Sequence, residues 1–146
     1  MRLFLDANVV FSAAHNPDGN GRALFQLAAA RRGARLISSR FAIEEAARNI
    51  ALKYPERLSD LERLTADLEV CAEPTPSAVA AAASVGLPAK DAPILAAAIG
   101  ARARVLVTGD RQHFSPLFGK TIEGVTVIMP AEAVVMLLAL APHEGE

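Results

Sequence analysis

The sequence predicts an α/β fold built on a parallel sheet of five strands. Five short runs, residues 3–5, 36–38, 68–71, 105–108 and 125–129, are largely apolar, as expected of parallel strands covered on both faces. Segments with helical spacing and helix-end residues separate them, so strand and helix alternate along the chain. With 146 residues and no repeat or low-complexity linker, residues 1–142 form one expected domain. Residues 143–146 are expected to be a short disordered tail.

Each element has its own local signal. The first strand ends directly at Asp6. Asn20 or Gly21 can open a helix running to Arg32, and Gly33 supplies a left-handed stop. Ser38 or Ser39 can cap the next helix, whose Phe41, Ile43, Ala46, Ala47 and Ile50 recur at helical spacing. Pro55 suits the first turn of a third helix ending near Thr65. Thr75-Pro76 opens an alanine-rich helix that stops at Gly86. Asp91 precedes a strongly apolar helix with Pro93 in its first turn, and a last helix follows Pro130.

Composition narrows the function. The single Cys71 excludes a disulfide scaffold and a clustered-Cys zinc site, and it suits a reducing compartment. Asp6 interrupts the N-terminus before any signal-peptide apolar region forms. The longest apolar stretch, 133–141, falls far short of the ~20 residues that cross a bilayer. A cytoplasmic protein without membrane association is expected. Fifteen basic and sixteen acidic residues give a net charge of −1, without the basic excess of typical nucleic-acid binders. The basic residues are nevertheless concentrated before Cys71, with Arg31, Arg32, Arg35, Arg40 and Arg48 close together in sequence.

In an open parallel sheet, ligands bind outside the carboxyl ends of the strands. Asp6 follows the first strand and Asp110 follows the fourth. Each has an ordinary structural role available: Asp6 as a turn residue, Asp110 and Asp91 as helix caps. Glu44 and Glu45 would ordinarily be solvated helix residues. As a set, these carboxylates on different elements would repel and raise one another's pKa if packed together. Such a set is instead what a hard divalent cation needs. His15, His113 and His143 have no zinc-pairing spacing; His113 follows Asp110 closely enough to touch a substrate, but a surface loop residue is the expectation. No nucleophilic side chain has a base beside it.

Four stretches bring a known family into view: Leu5-Asp6-Ala7-Asn8-Val9, residues 38–50 around Glu44-Glu45, Lys90-Asp91-Ala92-Pro93, and Thr108-Gly109-Asp110. Together, in this order and spacing, they resemble the PIN domain, the metal-dependent nuclease fold of VapC-type toxins and related RNA-processing enzymes. The resemblance implies a three-layer α/β/α architecture and an endoribonuclease that hydrolyses phosphodiesters with Mg²⁺ or Mn²⁺. It implies that Asp6, Asp91 and Asp110 are catalytic metal-site carboxylates, joined by a glutamate assigned to Glu45, with Glu44 as the alternative. Asn8 and Thr108 match polar positions that orient ligands. Arg40, Arg48 and Lys90 are the expected phosphate contacts. If the chain is a toxin of this type, a homodimer and a cognate antitoxin follow.

Two other readings compete. Asp6-Ala7-Asn8 after a strand is superficially similar to haloacid-dehalogenase-like phosphatases, which use two Asp residues two positions apart. Asn8 cannot donate and recover a proton, so that reading lacks its acid. The other is a non-catalytic PIN-like module that binds RNA or protein, for which an intact acidic set has no purpose.

Overall fold

Leu3, Phe4 and Leu5 are wholly buried in β1 (Arg2–Leu5), at the centre of the sheet. The computed structural model describes residues 1–143. From β1 the chain continues through α1 (Ala7–His15), α2 (Asn20–Ala30), β2 (Arg35–Ser38), α3 (Arg40–Lys53), α4 (Leu58–Thr65), β3 (Glu69–Val70), α5 (Pro76–Ala83), α6 (Ala92–Gly100) and β4 (Val105–Val107). It then adds α7 (Arg111–Phe114), β5 (Thr121–Ile122), β6 (Val125–Ile128) and α8 (Pro130–Leu138).

Successive strand side chains point to opposite faces, and this sets the layers. Leu3 and Leu5 join Val105 and Val107 in one core, packed against Val9 and Val10 of α1, Leu24 of α2, Ile50 of α3, Leu61 of α4 and Leu137 of α8. Phe4 and Leu106 enter a second core with Leu95 of α6, Ala82 of α5 and Phe114 of α7. The unbroken apolar runs thus reflect a sheet covered by helices on both sides, a three-layer α/β/α arrangement.

Strand order is β3-β2-β1-β4-β6-β5. The chain builds outward from β1 through β2 to β3, then returns to place β4 on the other side of β1. Phe4 pairs in register with Ile37 of β2 and with Leu106 of β4. The order therefore reverses between β1 and β4, and at such a point a crevice opens outside the carboxyl ends of the strands.

The sheet corrects the expected strand count. It has six strands, and β5 runs antiparallel to β6. Glu123 and Gly124 link them with φ of 49° and 85°, the mirror-image two-residue turn that suits twisted strands. Glu in place of the usual Asn or Asp conceals this hairpin in the sequence. β3 is shorter than expected. A three-residue 3-10 turn, Pro55–Arg57, precedes α4 where one continuous helix was expected. The sequence reading also omits α1, because no Gly or Pro separates it from β1. Residues 144–146 of the expected tail lie outside the described residues. His143 donates its backbone N–H to Ala30 O at 3.1 Å. No described helix is long and apolar enough to cross a membrane.

Helices α1 and α2 approach closely at Gly21. A Cβ there would lie 3.0 Å from Ala13 N and 3.0 Å from Val9 O, both backbone atoms of α1. Alanine at this position gains about 1 kcal/mol of helix propensity but overpacks at a cost of about 1–3 kcal/mol. Gly21→Ala is expected to lose about 1 kcal/mol net in denaturant unfolding. A midpoint equal to or above that of the parent would refute the close approach.

Candidate active site

Asp6 ends β1 and starts α1 in the same residue. Its backbone N–H donates to Val107 O of β4 at 3.0 Å, and its Oδ1 accepts from Ala7 N at 2.7 Å. Its Oδ2 accepts from Thr108 Oγ1 at 2.8 Å and from Asn8 Nδ2 at 3.1 Å. Thr108 Oγ1 in turn accepts from Asp110 N at 3.1 Å, and Asn8 Oδ1 accepts from Gly109 N at 2.7 Å. Asn8 and Thr108 thus stitch the segment after β1 to the segment after β4, with the Asp6 carboxylate in the seam.

That carboxylate is only 5% exposed. Burial pushes its pKa from 3.8 up to about 6, and the negative charges of Glu45 and Asp91 push in the same direction. The Thr108 hydroxyl and the Ala7 amide act against the rise but do not cancel it.

Asp91 occupies the N-cap position of α6, yet its side chain makes no capping bond. It is 9% exposed. Burial raises its pKa and Asp110 adds to the rise, whereas His113 and Lys90 oppose it. Asp110 does cap α7: Oδ1 accepts from Gln112 N at 3.1 Å and His113 N at 3.0 Å. Its Oδ2 is left to face His113 Nδ1 at 2.9 Å, and Asp91 Oδ2 lies 3.0 Å from the same nitrogen.

Glu45 lines a cleft of about 770 Å³ together with Asn8, Ser12, Asp110 and Arg111. Glu44 is exposed on α3 and does not line it. A second cavity of about 630 Å³, walled largely by alanines of α5 and α6, contains none of the expected site residues. Arg40, Arg48 and Lys90 are exposed. The expected arginine group is divided by the length of β2. Arg31 and Arg35 lie before or at its start, at the opposite end of the sheet from Asp6, and Arg35 faces Glu69 at 3.8 Å.

Two residues at the site escaped the sequence reading. His113 is turned inward between two carboxylates and is not a surface loop residue. Its position three residues after Asp110 on a capped turn was the available signal. Arg111 adds a positive charge to the cleft wall.

The donor set fits a hard divalent cation. Asp91 at the start of α6, Asp110 after β4 and an inward His113 come together, and Asp6 after β1 feels the charge of Asp91. Asp91 Oδ2 and His113 Nδ1 are buried, and neither has a correctly directed hydrogen bond. Asp91, Asp110 and His113 each offer a ligand atom within 4.8 Å of the others.

The raised pKa of Asp6 has a consequence for stability. With a folded value about 6 against 3.8, the folded state holds the proton more tightly than the unfolded state. This favours folding fully below pH 3.8, and the contribution is lost as pH rises through 6; the displacement is worth about 3 kcal/mol. In the presence of chelator, Asp6→Asn should therefore melt above the parent at pH 8, with the difference fading toward pH 4. A difference independent of pH would contradict the buried-carboxylate account.

Comparison with solved structures returns the same architecture. VapBC2 from Rickettsia felis, solved with a DNA fragment of its promoter, superposes with a TM-score of 0.66 at 16% identity, covering 88% of this chain and 98% of that one. PAE2754 from Pyrobaculum aerophilum gives 0.69 at 19% identity, covering 95% and 90%. VapBC-1 from nontypeable Haemophilus influenzae gives 0.62 at 17% identity, covering 90% and 99%. At these identities the similarity establishes the fold alone. A comparison with curated proteins finds no match. The PIN domain family matches residues 2–112, a stretch that runs from β1 through the Asp110 turn, and the chain belongs to that family.

Proposed function

We propose that the chain is a Mg²⁺- or Mn²⁺-dependent endoribonuclease, the toxin of a toxin–antitoxin pair. The observation that supports this reading is the cluster of Asp91 and Asp110 near the buried Asp6 carboxylate at the end of β1, with Glu45 on the wall of the adjoining cleft. Family membership supports hydrolytic nuclease chemistry, and the likeness to VapBC structures supports a cognate antitoxin. A cytoplasmic homodimer acting on RNA completes the reading.

Asp6, Asp91 and Asp110 would hold the cation, with Glu45 as a further ligand or as the group that orients the attacking water. When bound, the cation supplies charge neutralisation at the scissile phosphate and acidifies water. Asp6 arrives preorganised: Ala7, Asn8 and Thr108 fix both of its oxygens, so little reorientation is needed on binding. Glu45 faces open space large enough for a phosphodiester, where it would bind the cation or orient the attacking water. Arg111, on the same wall, pairs with a phosphate oxygen through its forked donors. Arg40, Arg48 and Lys90 contribute weaker contacts along the strand.

The phosphatase alternative needs a second carboxylate two residues after Asp6. Asn8 stands there, its amide already committed to Asp6, Thr108 and Gly109. The non-catalytic alternative is separated by assay. Total RNA incubated with the protein and Mg²⁺ should be cleaved, and chelator or Asp6→Asn should stop cleavage. Intact RNA under all conditions would leave only the binding module.

Asp91→Asn should lower the cleavage rate by more than about a hundredfold with the far-UV spectrum unchanged, because its side chain caps nothing. Retained cleavage in excess Mg²⁺ would remove Asp91 from the site. Glu45→Gln should cost more activity than Glu44→Gln, and the reverse order would move the role by one residue.

A further inference from the structure

The proposed reaction leaves the His113 imidazole without a role. Its Nδ1 lies 3.0 Å from Asp91 Oδ2 and 2.9 Å from Asp110 Oδ2. Neither contact has the direction of a hydrogen bond, and Nδ1 and Asp91 Oδ2 are both buried without a partner. Native structures seldom leave such buried polar atoms uncompensated. A protonated ring would pair with both carboxylates by charge, but a cation at the same point satisfies the ring nitrogen and both oxygens through direct bonds. The backbone N–H groups of Gln112 and His113 occupy Asp110 Oδ1, so Oδ2 is the oxygen that Asp110 has to offer.

The spacing has a direct chemical meaning. Neighbouring ligands around an octahedral ion with bonds of ~2.1 Å stand ~3.0 Å apart. The two His113 contacts, 2.9 and 3.0 Å, have that length, and the three donor atoms fall within 4.8 Å of one another. Two carboxylates that repel, with an imidazole between them, are brought into attraction by a cation at their common point.

We infer that His113 Nδ1 is itself a metal ligand, joining Asp91 and Asp110 in a mixed nitrogen–oxygen centre that takes Mn²⁺ or another first-row transition ion in preference to Mg²⁺. The inference rests on the metal-nuclease reading for the presence of a cation and adds to it the nitrogen donor and the choice of ion. Mg²⁺ is served by oxygen ligands and water, whereas imidazole suits the transition ions. The Nε2 side of the ring then carries the proton.

The test is Mn²⁺ titrated into the full chain and followed by electron spin resonance. A directly bonded ¹⁴N imprints a modulation on the Mn²⁺ spin echo that oxygen ligands do not. The unmodified protein should show it. His113→Gln should abolish it and weaken Mn²⁺ binding by about tenfold or more, with a smaller loss for Mg²⁺ measured by competition. His113→Asn serves as a second variant, and circular dichroism confirms that each is folded. Mn²⁺ bound without nitrogen modulation would overturn the inference. So would modulation that survives both substitutions, an equal loss for both ions, or no Mn²⁺ binding. Nitrogen-ligated Mn²⁺ in a protein that cleaves no RNA would sustain the inference and sink the nuclease reading. RNA cleavage with oxygen-only Mn²⁺ would do the opposite.

Discussion

A carboxylate buried at the end of the central strand is the constraint around which the rest of this molecule is arranged. Asp6 is 5% exposed, and an isolated charge there would be untenable. It is tolerated because three donors from two strand ends converge on it: Ala7 N, Asn8 Nδ2 and Thr108 Oγ1. Ala7 and Asn8 are local to Asp6, but Thr108 reaches it only because β1 and β4 are neighbours in register, so the sheet order and the site are linked. Thr108 and Asn8 each make several bonds at once, which makes the seam rigid where ligand geometry has to be set. The pKa still rises to about 6, so the hydrogen bonds leave part of the desolvation cost unmet. A cation would meet it.

The same reasoning explains what the sequence could and could not disclose. Runs such as 3–5 and 105–107 were legible because burial on both faces forbids any polar residue, a signal that survives without knowledge of topology. Residues that sit where a strand ends were legible as a set for the same reason, since the crevice lies there in every open parallel sheet. Helix α1 was hidden because Asp6 both ends β1 and caps α1, leaving no spacer to mark the change. The β5–β6 hairpin was hidden because Glu123 adopts a backbone conformation that Asn or Gly would have advertised. His113 was hidden for a third reason. Its spacing from Asp110 is visible, but the cap bonds that occupy Asp110 Oδ1 and leave Oδ2 facing His113 exist only in the folded turn.

The near-neutral composition takes its meaning from this arrangement. A net charge of −1 gives no general attraction for a polyanion, and Arg2 and Arg35, at the starts of β1 and β2, face Glu69 at the far end of the sheet. What matters is where opposite charges are separated. Asp6 and Asp91 are buried, which is the main cause of their raised pKa, and neighbouring carboxylate charge adds to it. A divalent ion in such a place is the largest local charge and inverts the potential around it. Arg111 on the adjoining wall then extends the positive region into the cleft. Under this logic a phosphate-binding surface does not need a basic protein. It needs acids placed so that the cation they attract faces the substrate.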